Sequence, residues 1–393
     1  GTINYELSDL NLVGVYIQGD DGYTKTDTIP ESGYVLNEEE SYCTVNGEED
    51  ASINVSYDAN TQTLSVSPMT TKGTKCYLYF DEKGITNVQE LIASKTLAAR
   101  TDFSTTVTED TTGTIYYADT SKGRTYYFAG NPTDNWVSFG GFYWRIIRIN
   151  EDGTIRMIYQ GTSANTTGTG TQLKESTFSI NSSAYNNNAY VGYMYALNQV
   201  HGLGTDSGIK KVLDNWYRDN LATNYGDKID GNAGFCGDRE PSTSSSTSNG
   251  RGGTGTSTTY YGAYIRYYGQ SNGVPTFECQ NSSDLYTTSG SQEGNKALTY
   301  PIGLISLDEV WYAGGLIFDN TNYYLYTGQH YWTMSPGYLR SSSYAGVFFV
   351  GSDGDFGSYY VSNTSGVRPV INLKANVTIS EGDGSSSNPY VIN

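Results

Sequence analysis

The chain has 393 residues, with 23 Lys and Arg against 41 Asp and Glu, a formal net charge of −18. That balance excludes the basic footprint nucleic-acid binding requires, and an anionic membrane surface repels it. Charged residues make up only 16%, below the roughly 25% of an average soluble domain, so Ser, Thr, Asn and Gly carry the polarity, as suits short strands joined by many turns.

Tyr is abundant, 37 residues against 12 Phe. Its broad apolar face and hydroxyl suit packing and binding alike, and half-exposed strand positions favour it too. No run approaches the roughly 20 apolar residues of a membrane span, so no direct membrane insertion is expected. The chain opens at Gly1 without a Met, which reads as a processed start, so the missing signal segment says nothing about compartment. The four cysteines fall into two local groups, Cys43 with Cys76 and Cys236 with Cys279. An even count without C-x-x-C spacing points to two disulfides in an exported protein and away from zinc or iron–sulfur ligation.

Residues 1–83 read as a β-sandwich domain of immunoglobulin type. The runs "LVGVYIQ", "GYVLNEEESYCTV", "SINVSYDANTQTLSVSP" and "KCYLYFDEK" are β-branched or aromatic and are broken by turn residues. "VSYDANTQTLSV" alternates on both sides of a turn, as a hairpin should. A Cys43–Cys76 bridge would close a loop worth about 3–4 kcal/mol. In "TNVQELIASKTLAART", Val88, Leu91 and Ile92 recur at helical spacing, so 84–113 is expected to be a helical linker.

The second domain is expected over 114–393. "TIYYADTSKGRTYYFAG" reads as a hairpin around Ser-Lys-Gly-Arg, and "FGGFYWRIIRINEDGTIRMIYQG" as the clearest hairpin in the chain. "SGIKKVLDNWYRDNLA" places Ile209, Val212, Leu213, Trp216 and Leu221 on one helical stripe, with Ser207 as cap. "SLDEVWYAGG" has Ser306 and Glu309 at capping-box spacing and ends in Gly314 and Gly315. The low-complexity stretch 240–259 is expected to be a solvated loop, pinned at its base by a Cys236–Cys279 bridge. Strands are expected in "YLYTGQHYWTMSP", "AGVFFVGSDGDFGSYYV" and "GVRPVINLKANVTI". Strands, then helices and a long loop, then strands again describe an α+β domain whose early and late strands pair in one sheet.

The blocks "FYWRIIRINEDGTIRMIYQGTS", "NAYVGYMYALNQVH", "IKKVLDNWY", "AGFCGDR", "ALTYPIGLISLDEVWYAGG", "YWTMSP" and "GVRPVINL" together resemble a family of surface proteins from gut Gram-positive bacteria. These carry C-type-lectin-fold domains, distantly similar to formylglycine-generating enzymes, and include variable proteins of diversity-generating retroelements. The first domain resembles the immunoglobulin-like modules that often precede them. In diversified relatives, adenine mutagenesis scatters Tyr, Ser, Asp, Gly and Phe over a fixed frame, between a W-x-x-S-like and a G-[VF]-R-P-like block. Trp332 to Pro336 and Gly366 to Pro369 match those blocks.

The resemblance therefore implies an extracellular, cell-surface display protein that binds an unknown protein or glycan through the 337–364 face. The implied contact residues are Tyr338, Arg340, Ser343, Tyr344, Gly346, Phe349, Gly351, Asp353, Asp355, Ser358, Tyr359, Tyr360, Ser362 and Thr364. Val347, Phe348, Val350, Val361 and Val367 are expected beneath them, and Tyr338, Arg340, Tyr344, Phe349, Asp353, Asp355, Tyr359 and Tyr360 on one continuous exposed face. The alternatives are an undiversified adhesin or a spacer. An oxidase of the formylglycine-generating type is disfavoured, because the C-terminal strands lack the cysteines that hold copper in those relatives.

No enzyme, cofactor or metal is expected. His201 and His330 sit in no nucleophile–base signature, and G-x-S-x-G, H-E-x-x-H and P-loop motifs are absent. "SDGDFGS" offers Asp353 and Asp355 as alternate oxygen ligands but lacks the late Glu of a calcium loop, so it reads as a turn. Arg368 in "GVRPV" reads as a buried cation held by carbonyls or a carboxylate.

Overall fold

The computed structural model describes residues 3–5, 13–19, 22–30, 34–58, 61, 63–68, 73–180, 191–197, 199–242, 258–269, 273–340 and 344–393. The chain divides into two compact units, Gly1–Gly84 and Ile85–Asn393. Both are β-rich and neither closes into a barrel.

The first unit holds two sheets. A six-stranded sheet is centred on the strand Thr74–Glu82, which pairs with Val13–Gly19 in parallel and with Tyr34–Leu36 and Tyr42–Val45 antiparallel. A three-stranded sheet contains the expected hairpin, Asn54–Asp58 against Thr63–Ser67. The period-2 pattern of Thr74–Glu82 buries Cys76, Leu78 and Phe80 and leaves Tyr77 and Tyr79 outward. The inward residues join Val15, Leu64 and Val66 in one core shared by the two sheets. The Cys43–Cys76 disulfide forms, but between register partners of neighbouring strands. An immunoglobulin bridge instead ties one sheet to the other.

Residues 85–113 belong to the second unit rather than to a linker. The helix Val88–Ala93 buries Val88 and Leu91 in that unit's core, and Thr96–Ala99 pairs in parallel with the strand Thr114–Thr120. Lys95 fixes the arrangement through a buried ion pair with Asp134 at 2.6 Å.

Two sheets frame the second unit. In the larger one, Phe142–Ile149 pairs with Trp136–Phe139, with Gly123–Tyr127 and with Ile155–Gly161. C-terminal strands complete it: Val370–Leu373 lies against Ile155–Gly161, and Tyr390–Ile392 runs parallel to Trp136–Phe139. The early and late strands thus meet as expected. Arg368 lies at this junction, fully buried, donating to the carbonyls of Tyr159 and Leu325 and to Gln160 Oε1 at 2.7 Å.

The helix Gly208–Asn220 is capped by Ser207 and packs Trp216 against Phe142, Trp144 and Tyr159. The helix Leu307–Tyr312 carries the complete Ser306–Glu309 capping box. A further helix, Gly262–Tyr268, was not foreseen. The expected strand from residue 324 begins only at Tyr331. Within the expected loop 240–259, residues 243–257 lie outside the described residues. Cys236 and Cys279 are bridged beside it.

Candidate functional site

The predicted contact residues fall on the smaller sheet. Its centre is the strand Tyr331–Arg340, paired antiparallel with Tyr344–Val350, which pairs in turn with Phe356–Tyr360. Thr259–Tyr260 adds a strand on the other side of Tyr331–Arg340.

The expected core is buried: Val347, Phe348, Val350, Val361 and Val367 are all inaccessible. The single continuous exposed face is not observed. Alternation along a strand sends successive side chains to opposite sides, so the candidate residues divide between the two surfaces of the sheet. Tyr338, Gly346 and Tyr360 are register partners and share one surface with Tyr344 and Arg340. Phe349 and Tyr359 lie on the other, where Phe349 stacks on His330 with centroids 5.2 Å apart and on Tyr359 at 3.9 Å. His330 is therefore a packing residue of that surface.

Exposure differs accordingly. Phe349 is only 7% exposed and Tyr338 only 8%, whereas Arg340 and Tyr360 are exposed and Tyr344 half-buried. Gly346 and Gly351 are buried and make space rather than contacts. A Cβ at 346 would sit 2.9 Å from the Tyr338 ring, and one at 351 would sit 2.0 Å from Asp355 Oδ1. Ser358 is half-buried; Ser362, half-buried, and Thr364, exposed, lie in the turn beyond the last strand. Ser343 falls outside the described residues.

Asp353 and Asp355 occupy the hairpin end, with Asp353 exposed and Asp355 half-buried. Burial, then the hydrogen bond and charge of Asp353, push the Asp355 carboxyl up to about 7, while its hydrogen bond to Asp355 holds Asp353 below the usual range. Opposite shifts of this kind follow when two neighbouring carboxyls resist ionising together. No group of three His, Cys, Asp or Glu among the described residues could hold a metal ion.

The sheet surface bearing Tyr338 gains residues that sequence reasoning missed. The Gly262–Tyr268 helix covers its middle: Tyr264 and Tyr268 meet Phe348, and Tyr267 meets Phe356 at 4.7 Å. Beyond the helix an aromatic cluster continues outward. Tyr260 touches Tyr264 at 4.6 Å and Tyr338 at 6.3 Å; Tyr344 touches Tyr338 at 6.4 Å and Tyr360 at 4.5 Å. The Arg340 guanidinium lies 4.6 Å over the Tyr338 ring. Burial raises the Tyr338 hydroxyl to about 12, so it remains a neutral donor. The available signal was the i, i+4 spacing of Tyr264 and Tyr268 on one helical face, with Tyr260 in the strand just before the helix.

The helix is fixed from behind. Arg266 donates Nε to Asp308 Oδ1 at 2.9 Å and shares Nη2 between Asp308 and Asp238, each at 2.5 Å. Three chain segments, 259–268, 338–340 and 344–360, are thereby held together at one surface. Compared with known protein families, with curated proteins and with solved structures, the chain matches none.

Proposed function

We propose that this chain is an extracellular recognition module, displayed at a cell surface, that binds a protein partner through the patch of Tyr260, Tyr264, Arg340, Tyr344 and Tyr360, built over the buried Tyr338 ring. The observation that carries the reading is the patch itself. Aromatic rings contributed by three segments surround one exposed arginine at the edge of a rigid sheet, with a packed core directly beneath.

Tyr and Arg are the side chains most often found at protein-binding hot spots, worth about 2 kcal/mol or more each when desolvated. Tyr loses little conformational freedom on binding. The two disulfides and the absence, among the described residues, of any helix able to cross a membrane are compatible with an exported protein. In the lectin-fold relatives that the chain resembles, the same C-terminal stretch is the diversified one. The refined reading keeps Arg340, Tyr344 and Tyr360 as contacts and assigns Tyr338, Phe349 and Tyr359 to the frame, with the buried Tyr338 ring supporting the Arg340 guanidinium.

The test is a binding screen of the full chain against surface-protein and glycan arrays, repeated with Arg340, Tyr344 and Tyr360 all changed to Ala. Protein binding lost in the variant is the expected result. Binding to glycans alone would replace the partner class, and binding indifferent to the three substitutions would overturn the site. Diversification is tested separately, by searching beside the coding region for a reverse transcriptase and a near-copy of the 337–364 segment differing at adenines.

A further inference from the structure

On another part of the second unit lies an open cleft of about 1140 Å³, walled by the hairpin turns near 121 and 151 and by the loops 232–238 and 276–296. Its floor is charged, although buried charges are costly unless paired. Two ionic triads sit there, of opposite sign.

In the first, Glu309 accepts from Arg148 Nε at 3.0 Å and from Arg156 Nη2 at 3.3 Å, and Arg156 Nε lies at ion-pair distance from it, 2.5 Å. Burial alone would raise the Glu309 carboxyl; the guanidinium groups of Arg156 and Arg148 outweigh it and hold the group below its usual range. Two cations to one carboxylate leave one positive charge over. In the second triad, Arg266 lies between Asp238 and Asp308. Two carboxylates to one cation leave one negative charge over. Glu309 and Asp308 are consecutive, and consecutive Cα atoms are about 3.8 Å apart, so the two poles lie side by side.

Each pole has unused capacity. Arg148 commits Nε to Glu309, stacks its guanidinium 4.7 Å over Phe277, and makes no hydrogen bond with its terminal nitrogens among the described residues. Its side chain retains 12% exposure. Asp238 and Asp308 are engaged through Arg266 and, for Asp308, the Thr276 amide, whereas a carboxylate offers about four lone-pair sites. Both faces of the Phe277 ring are occupied, by Arg148 and by Tyr312 at 3.8 Å, so stacking of a sugar on it is blocked.

We propose that this cleft is a second binding site, for a small zwitterion of the amino-acid or short-peptide class, its carboxylate held by the terminal nitrogens of Arg148 and its ammonium by Asp238 and Asp308. A ligand whose opposite charges are a few bonds apart matches two adjacent poles of opposite sign. A singly charged ligand satisfies one pole and is repelled or ignored by the other.

Calorimetric titration of the full chain with the twenty common amino acids and with Ala-Ala tests this, with acetate and methylammonium as single-charge controls. At least one zwitterion should bind saturably, while neither control does. Arg148→Gln should weaken that binding roughly tenfold or more, the loss of a charge-assisted hydrogen bond. Gly290 lines the cleft with open space around it, so Gly290→Trp should block the site without touching either triad and without lowering the melting temperature. The proposal is overturned if no zwitterion binds, if acetate binds as well as the best one, or if binding survives in both variants.

Discussion

Each unit carries a tyrosine-rich sheet surface, and the two are built differently. On the first unit, Tyr16 stacks on Tyr79 with rings 4.7 Å apart and 11° from parallel, and Tyr42 stacks on Tyr77 at 4.9 Å and 21°. Lys75 lies over the Tyr77 ring, and the Tyr23 hydroxyl is tied to Asp81. Much of the ring area is thus spent within the ladder. On the second unit the angles are mixed: Tyr344 stacks on Tyr360 at 4.5 Å and 27°, while Tyr260 meets Tyr264 at 43° and Tyr338 meets Tyr344 at 71°. Among the described residues, the cation over them is Arg340, itself exposed. A count of exposed tyrosines therefore says little. A ladder of parallel rings spends its faces on its neighbours, whereas the mixed cluster of the second unit keeps Arg340 and Tyr360 exposed to solvent.

The strongest way to break this contrast is to remove the core beneath the second patch. Phe348 is fully buried under Tyr264 and Tyr268. Phe348→Ser should cost the second unit about 3–5 kcal/mol through the cavity alone, with a stranded hydroxyl adding to it. Denaturant unfolding should show that unit's transition lost and the first unit's retained. Next comes Phe349→Ser on the opposite surface. That residue looks like a contact in the sequence but packs against His330 and Tyr359 in a three-ring cluster, so a loss of about 3 kcal/mol is expected. A stability change below about 0.5 kcal/mol would return Phe349 to the exposed set.

In the ladder, Tyr79→Ser should destabilise the first unit by about 1–2 kcal/mol, since aromatic pairs are worth about 0.5–1.5 kcal/mol each beyond their buried area, and should leave partner binding unchanged. The mirror experiment, Tyr360→Ser, should move stability by less than about 1 kcal/mol and weaken binding. If the two substitutions behave alike, the distinction between ladder and patch fails. The smallest effect is on pH. Asp355 holds its proton in the folded state up to about 7, above the ordinary carboxyl value of 3.8. The folded chain then binds more protons than the unfolded one between those values, so stability falls as pH rises from about 4 to about 7. Asp355→Asn should flatten that limb of a stability–pH profile measured by thermal melting. A profile unchanged by the substitution would remove the raised Asp355 carboxyl.

Much of the frame was readable from local pattern. Alternation gave the Phe142–Ile149 and Ile155–Gly161 hairpin, the Ser306-to-Glu309 spacing gave the capping box, and cysteine grouping gave both bridges. The candidate patch was legible only in part. Composition picked out Arg340, Tyr344 and Tyr360. It also picked out Phe349, Gly346 and Gly351, because aromatic and small residues serve packing and contact equally well. Tyr260 and Tyr264 were missed because a strand of two residues and a helix of seven, beside a low-complexity stretch, each give too short a periodic signal.

What the sequence determined by itself is what depends on near neighbours: strand alternation, turns, caps and the buried Val347, Phe348 and Val350. Those positions are fixed by a period of two and by apolar side chains that must leave water. What only the tertiary structure decided is which elements share a surface. Register across three strands set Tyr338, Gly346 and Tyr360 together and sent Phe349 to the far side. The helix bearing Tyr264 was anchored to Asp238 and Asp308 through Arg266, across 28 and 42 residues of chain. Pairings at that separation are selected by packing of the whole unit, and no local pattern encodes them.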